Sequence, residues 1–127
     1  MAIYLTNKKD IERLKQDYLL TFLVEDKIKD ALNNFSNETG FGDQYIGLIF
    51  KDDVEYGWGD VYEALMKEDK EKQVLIYFYY PVEPDDTYFY LTYDELYDSL
   101  KSLINKQFWS DIELLKILET VKTSFGI

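Results

Sequence analysis

The chain has 127 residues, enough for one ordinary domain, and with 46% hydrophobic and 17% aromatic residues it can build a core, unlike a disordered acidic tail. Its 14 basic and 25 acidic residues leave a net charge of −11, a field that repels nucleic acid and anionic membrane and favours basic partners or plain solubility. With no Cys and no His, disulfides, thiolate nucleophiles, zinc–thiolate sites and all Ser-His-Asp or Cys-His triads are excluded.

The opening MAIYLTNKKDIERLKQDY lacks the apolar core of a signal peptide. No run approaches the roughly 20 apolar residues of a membrane span, so a soluble, cytoplasmic protein is expected. No linker, repeat or low-complexity tract divides residues 1–127, which read as a single domain. Ile11, Leu14, Tyr18 and Phe22 recur at helical spacing, and Ile28, Ala31, Leu32 and Phe35 repeat the pattern. The dense run YLLTFLV between these stripes reads either as a tightly buried turn of helix or as a break. SNETGFGD, residues 36–43, is a loop whose two glycines flank Phe41 and allow a close backbone approach.

QYIGLIF, residues 44–50, reads as a strand, with Gly47 a bulge or close-packing point. DVYEALM, residues 60–66, is compatible with a strand or a short helix, and KEDKEK follows as a charged turn. QVLIYFYY, residues 73–80, is a strand by its β-branched and aromatic content. PVEPDD is a connection because its prolines cannot donate to a ladder, and TYFYL is the antiparallel partner strand. Thr92 with Glu95 forms a capping box before a stripe of Tyr93, Leu96, Tyr97, Leu100, Leu103 and Ile104. Ser110 with Glu113 suggests a second box before Leu114, Ile117, Leu118, Val121 and Phe125. The predicted architecture is α+β: a small antiparallel sheet of three to five strands packed against N-terminal and C-terminal helices, which cover one of its faces and leave the other partly exposed.

Residues 50–69, FKDDVEYGWGDVYEALMKED, carry seven carboxylates against two lysines. They do not fit a calcium loop. Counted from Asp53, Glu55 falls at the third position, but Gly57 falls at the fifth and Trp58 at the sixth, so the spacing fails. Paired carboxylates can hydrolyse glycosides, but that chemistry needs a shaped sugar cleft for which this domain leaves little room. No metal or cofactor is expected, and no catalysis. Alternation along the hairpin puts Tyr77 and Tyr79 on one face and Phe78 and Tyr80 on the other. The face turned away from the helices either displays its tyrosines to a partner or buries them with their hydroxyls hydrogen-bonded. Carboxylates speed encounter with a basic protein, and aromatics supply desolvated contact. Both occur in DDVEYGWGD, with Asp52, Asp53, Glu55, Tyr56, Trp58 and Asp60, and in YYPVEPDDTY, with Glu83, Asp85 and Asp86. These residues are the predicted partner-binding set, for a protein rather than for nucleic acid or a membrane.

The order of pieces also resembles a known family. NETGFG, the glycine-bearing strand QYIGLIF, the DD pair, and a strand running into LTYDELYDSLKSLIN are similar to immunity proteins of bacterial contact-dependent growth inhibition (CDI) systems, in the subgroup that neutralises ribonuclease toxins. The shared marks fall on Thr39, Gly40, Phe41, Gly47, Phe50, Asp52 and Asp53, then on Leu91, Thr92, Glu95, Tyr97 and Leu100, across roughly residues 18–106. The resemblance implies a non-catalytic inhibitor that binds the nuclease domain of its cognate toxin inside the producing cell. Because such nuclease domains present basic clefts, the charge reading points to the same partner. The alternative is an inhibitor that mimics nucleic acid and binds a DNA- or RNA-handling protein.

Overall fold

The computed structural model describes residues 3–50, 53 and 72–127. After a two-residue strand β1 (Ile3–Tyr4), the Asn7 side chain accepts from the Lys9 and Asp10 amides, at 2.8 and 3.3 Å, and starts α1 (Lys8–Asp17). The apolar run that follows is a wider, five-residue π turn, Tyr18–Phe22, closed by the Leu23 amide donating to the Tyr18 carbonyl. Tyr18, Leu19 and Phe22 of this turn are all buried. Helix α2 (Glu25–Ser36) buries its predicted stripe of Ile28, Ala31, Leu32 and Phe35.

The stretch expected to be a loop contains a short edge strand, β2 (Phe41–Gly42), which pairs with β3 (Ile46–Ile49). Strands β4 (Gln73–Phe78) and β5 (Thr87–Thr92) form the hairpin expected from their composition, and Ile76 lies opposite Phe89. The sheet order is β1-β5-β4-β3-β2. Every pairing is antiparallel except the parallel addition of β1 to β5, so the expected antiparallel sheet is present with one parallel edge.

Two helices close the chain, α3 (Tyr93–Gln107) and α4 (Ile112–Phe125). The Thr92/Glu95 capping box is formed in both directions, at 3.1 and 3.0 Å. The second start differs from the expected Ser110 box: Asp111 is the cap, its carboxylate accepting from the Leu114 amide at 3.1 Å. The chain still turns at Trp109 and Ser110, so the helix begins one residue later than the Ser/Glu spacing suggests. DVYEALM lies outside the described residues.

The helices pack on the inner sheet face formed by Leu48, Phe50, Val74, Ile76, Phe78, Phe89 and Leu91. Phe50 is the hub of this core, its ring 5.9 Å from Phe35 of α2, 5.7 Å from Tyr93 of α3 and 5.9 Å from Phe125 of α4. The opposite face is buried as well: Ile49, Leu75, Tyr77 and Tyr88 form a second cluster flanked by half-buried Tyr79 and Tyr90. Of the two readings of the hairpin tyrosines, burial with hydrogen-bonded hydroxyls is the one realised here. Tyr77 donates to the Asp43 carbonyl at 2.6 Å, and its ring lies where a Gly47 side chain would stand. Gly47 is thus the close-packing point its position in a strand suggested.

Candidate functional site

One end of the sheet gathers exposed aromatic and acidic side chains. The β4–β5 connection is braced along its length. The Tyr79 amide donates to the Tyr45 carbonyl at 2.7 Å, and the Val82 amide donates to Tyr79 at 2.9 Å. The Thr87 hydroxyl bonds the Asp85 carbonyl at 2.8 Å, and the Ile3 amide of β1 bonds the Asp86 carbonyl at 2.7 Å. On this braced loop Tyr80 is 70% exposed and Val82 46%. A fixed loop that shows large apolar groups to water is the kind of surface that loses little entropy when it docks.

The three predicted acids here do different work. Asp86 is half-buried, and its carboxylate accepts from the Tyr80 amide at 3.3 Å. Glu83 stands 3.5 Å from Arg13 of α1, which ties the hairpin to the first helix. Asp85 is exposed, and among the described residues its hydrogen bonding uses the backbone alone.

The adjacent β2–β3 turn adds residues that the sequence reading did not single out. Asp43 accepts from the Tyr45 and Ile46 amides at 2.7 and 2.9 Å, and Tyr45 beside it is 41% exposed. This self-bonded Asp is the local signal for a turn, and GDQY between two apolar segments carries it. Because the Tyr45 carbonyl holds the Tyr79 amide, the two turns form one rim, with Asp43, Tyr45, Tyr80, Val82 and Asp85 along it. Burial, followed by the nearby Asp43 charge, pushes the Tyr77 hydroxyl up to about 12. Burial also raises Tyr79 and Tyr18.

The predicted segment DDVEYGWGD is described at Asp53, while Asp52, Glu55, Tyr56, Trp58 and Asp60 lie outside the described residues. Asp53 is half-buried, and one of its oxygens accepts from the Gly40 amide at 2.8 Å and the Phe50 amide at 2.7 Å. It sits past the C-terminal end of β3, whereas the rim lies at the N-terminal end, where Ile46 faces Phe78. The strand between them spans about 13 Å, so Asp53 is not part of the rim formed by the hairpin acids.

Among the described residues, no helix is long and apolar enough to cross a membrane, and no group of three acidic side chains is arranged to hold a metal ion. No curated protein and no solved structure matches the chain. A family model described as CDI immunity protein matches residues 11–108, from α1 through the end of α3. That match takes in both turns of the rim and three-quarters of the sequence, and by it the chain belongs to the CDI immunity protein family.

Proposed function

We propose that this immunity protein neutralises a ribonuclease toxin by pressing the acidic, aromatic end of its sheet against the toxin's basic substrate cleft. The observation that carries this reading is the braced rim, where exposed Tyr80, Val82 and Tyr45 stand beside Asp43 and Asp85. A nuclease that grips RNA phosphates does so with Lys and Arg, and carboxylates held at fixed spacing pair with the same groups. The aromatics then exclude water from the contact and slow dissociation. Inhibition by this route makes and breaks no bond, and it takes place in the cytoplasm of the producing cell, where the toxin is made. The segment bearing Asp52, Glu55, Tyr56, Trp58 and Asp60 joins the docking role on its composition alone.

Under this reading the gene immediately upstream is expected to encode a large secreted protein, and the test uses its C-terminal domain. Co-expression with this chain is expected to restore growth, and the two proteins are expected to form a one-to-one complex. Tyr80→Ala combined with Asp85→Lys should weaken that complex by about a hundredfold while leaving the circular dichroism spectrum unchanged. Undiminished affinity of the double variant would place the docking face elsewhere. An upstream domain without ribonuclease activity would overturn the toxin class.

A further inference from the structure

A second exposed apolar surface lies where the α3–α4 turn meets the π turn and the start of α2, and it shares no residue with the rim. Trp109 is 72% exposed there and Ile112 67%, and Leu20 and Val24 are exposed as well. Gln107 borders two hollows, one taking in Leu20 and Lys106, the other Val24, Asp26 and Phe108, so the π turn and α2 lie alongside the end of α3. The corner is braced. The Phe108 amide donates to the Ile104 carbonyl at 2.8 Å and the Asp111 amide to the Phe108 carbonyl at 2.9 Å, while Lys29 of α2 reaches Glu113 of α4 at 2.6 Å. A tryptophan shown to water on a fixed turn is the kind of anchor that interfaces enrich.

Charge decides which partner fits. The rim's exposed Asp43 and Asp85 are acidic, whereas here Lys29 and Lys106 stand among Asp26, Asp111 and Glu113, all exposed. Two chains of net charge −11 repel each other over most approaches and meet at least cost where both signs are present. Lys106 and Asp26 flank Gln107 from opposite hollows, and among the described residues neither takes part in an ion pair. A contact with two-fold symmetry brings residue i of one copy to residue j of its partner, and j to i. We propose that this corner joins two copies of the chain in such a dimer, with Trp109, Ile112, Leu20 and Val24 buried between them and Lys106 of each copy facing Asp26 of the other. Closed pairing uses up the patch, so assembly stops at two. The dimer uses no residue of the rim and does not depend on the toxin-docking reading.

Sedimentation equilibrium of the purified chain at ~0.15 M salt, where repulsion between distant charges is screened, should show monomer and dimer in exchange between ~10 and ~500 μM, as suits a contact at the small end of interface areas. A monomer throughout that range overturns the dimer. Trp109→Ser should weaken self-association about tenfold and leave the thermal melt unchanged, because the side chain is exposed. Undiminished self-association in that variant overturns the assigned face. Lys106→Glu and Asp26→Lys should each lower self-association severalfold, and an equimolar mixture of the two should recover it. Like charges face each other when either variant pairs with itself, and opposite charges do so in the mixed dimer. A mixture no stronger than the separate variants overturns the two-fold pairing. Loss of toxin binding in Trp109→Ser, from a chain that does not self-associate, gives the face to the toxin and overturns the dimer.

Discussion

Asp53 shows how a residue type can be evident while its task is not. In the sequence it is one of seven acids in a twenty-residue stretch. In the structure one of its oxygens holds the amides of both Gly40 and Phe50, joining the edge of the sheet to the strand end that carries the core's central ring. Nothing local predicts this, because Gly40 is 13 residues away. Asp53→Ala should cost about 2 kcal/mol in urea unfolding, since two part-buried donors lose a charged acceptor, and Asp53→Asn should cost less because an acceptor oxygen remains. The tyrosines make a second residue-scale prediction. The unfolded chain's phenols ionise near pH 10, whereas Tyr77 in the folded state is pushed up to about 12, and Tyr79 and Tyr18 are raised too. The unfolded state therefore loses these protons first. Stability is full below pH 10 and is lost as pH rises through 12, which urea midpoints measured across that range will show. Tyr77→Phe should make the decline shallower.

Elements with strong internal pattern were legible, and those defined by a neighbour were not. Strands β4 and β5 announce themselves through β-branched and aromatic alternation, and α3 through its capping box and apolar stripe. Strands β1 and β2 have two residues each, too few for any periodicity, and exist because β5 and β3 offer them partners. The π turn falls in the apolar run that reads either as a tightly buried turn of helix or as a break, and its change of pitch leaves no mark in the residue spacing. The start of α4 is the sharpest case, since Ser110 and Asp111 are both good caps and the turn before them decides between them. Asp111→Ala should lower stability by about 1 kcal/mol and Ser110→Ala should leave it nearly unchanged, as read from thermal melts. The reverse order would restore the Ser110 box.

For the whole molecule, charge and family resemblance carried most of what the sequence said about function. The net charge of −11 suits a basic partner or plain solubility, and the family match shows the immunity family. The location of the rim was only half legible, because PVEPDD was seen as an acidic turn whereas its neighbour at Asp43–Tyr45 comes next to it through the strand register. If long-range attraction steers the encounter, the association rate with the toxin domain should fall by about tenfold from ~0.02 to ~0.5 M salt while the dissociation rate changes little. A rate that ignores salt would remove steering from the account. A last consequence follows from Gly40, whose amide is held by Asp53 and whose carbonyl is held by the Asn34 side chain at 2.9 Å. An open ladder at that margin would template further strands, and a guardian kept in stock against its toxin would be at risk of stacking into fibres. Here the margin offers Phe41 and Gly42 and then stops, so crowded copies have too short a stretch to polymerise upon.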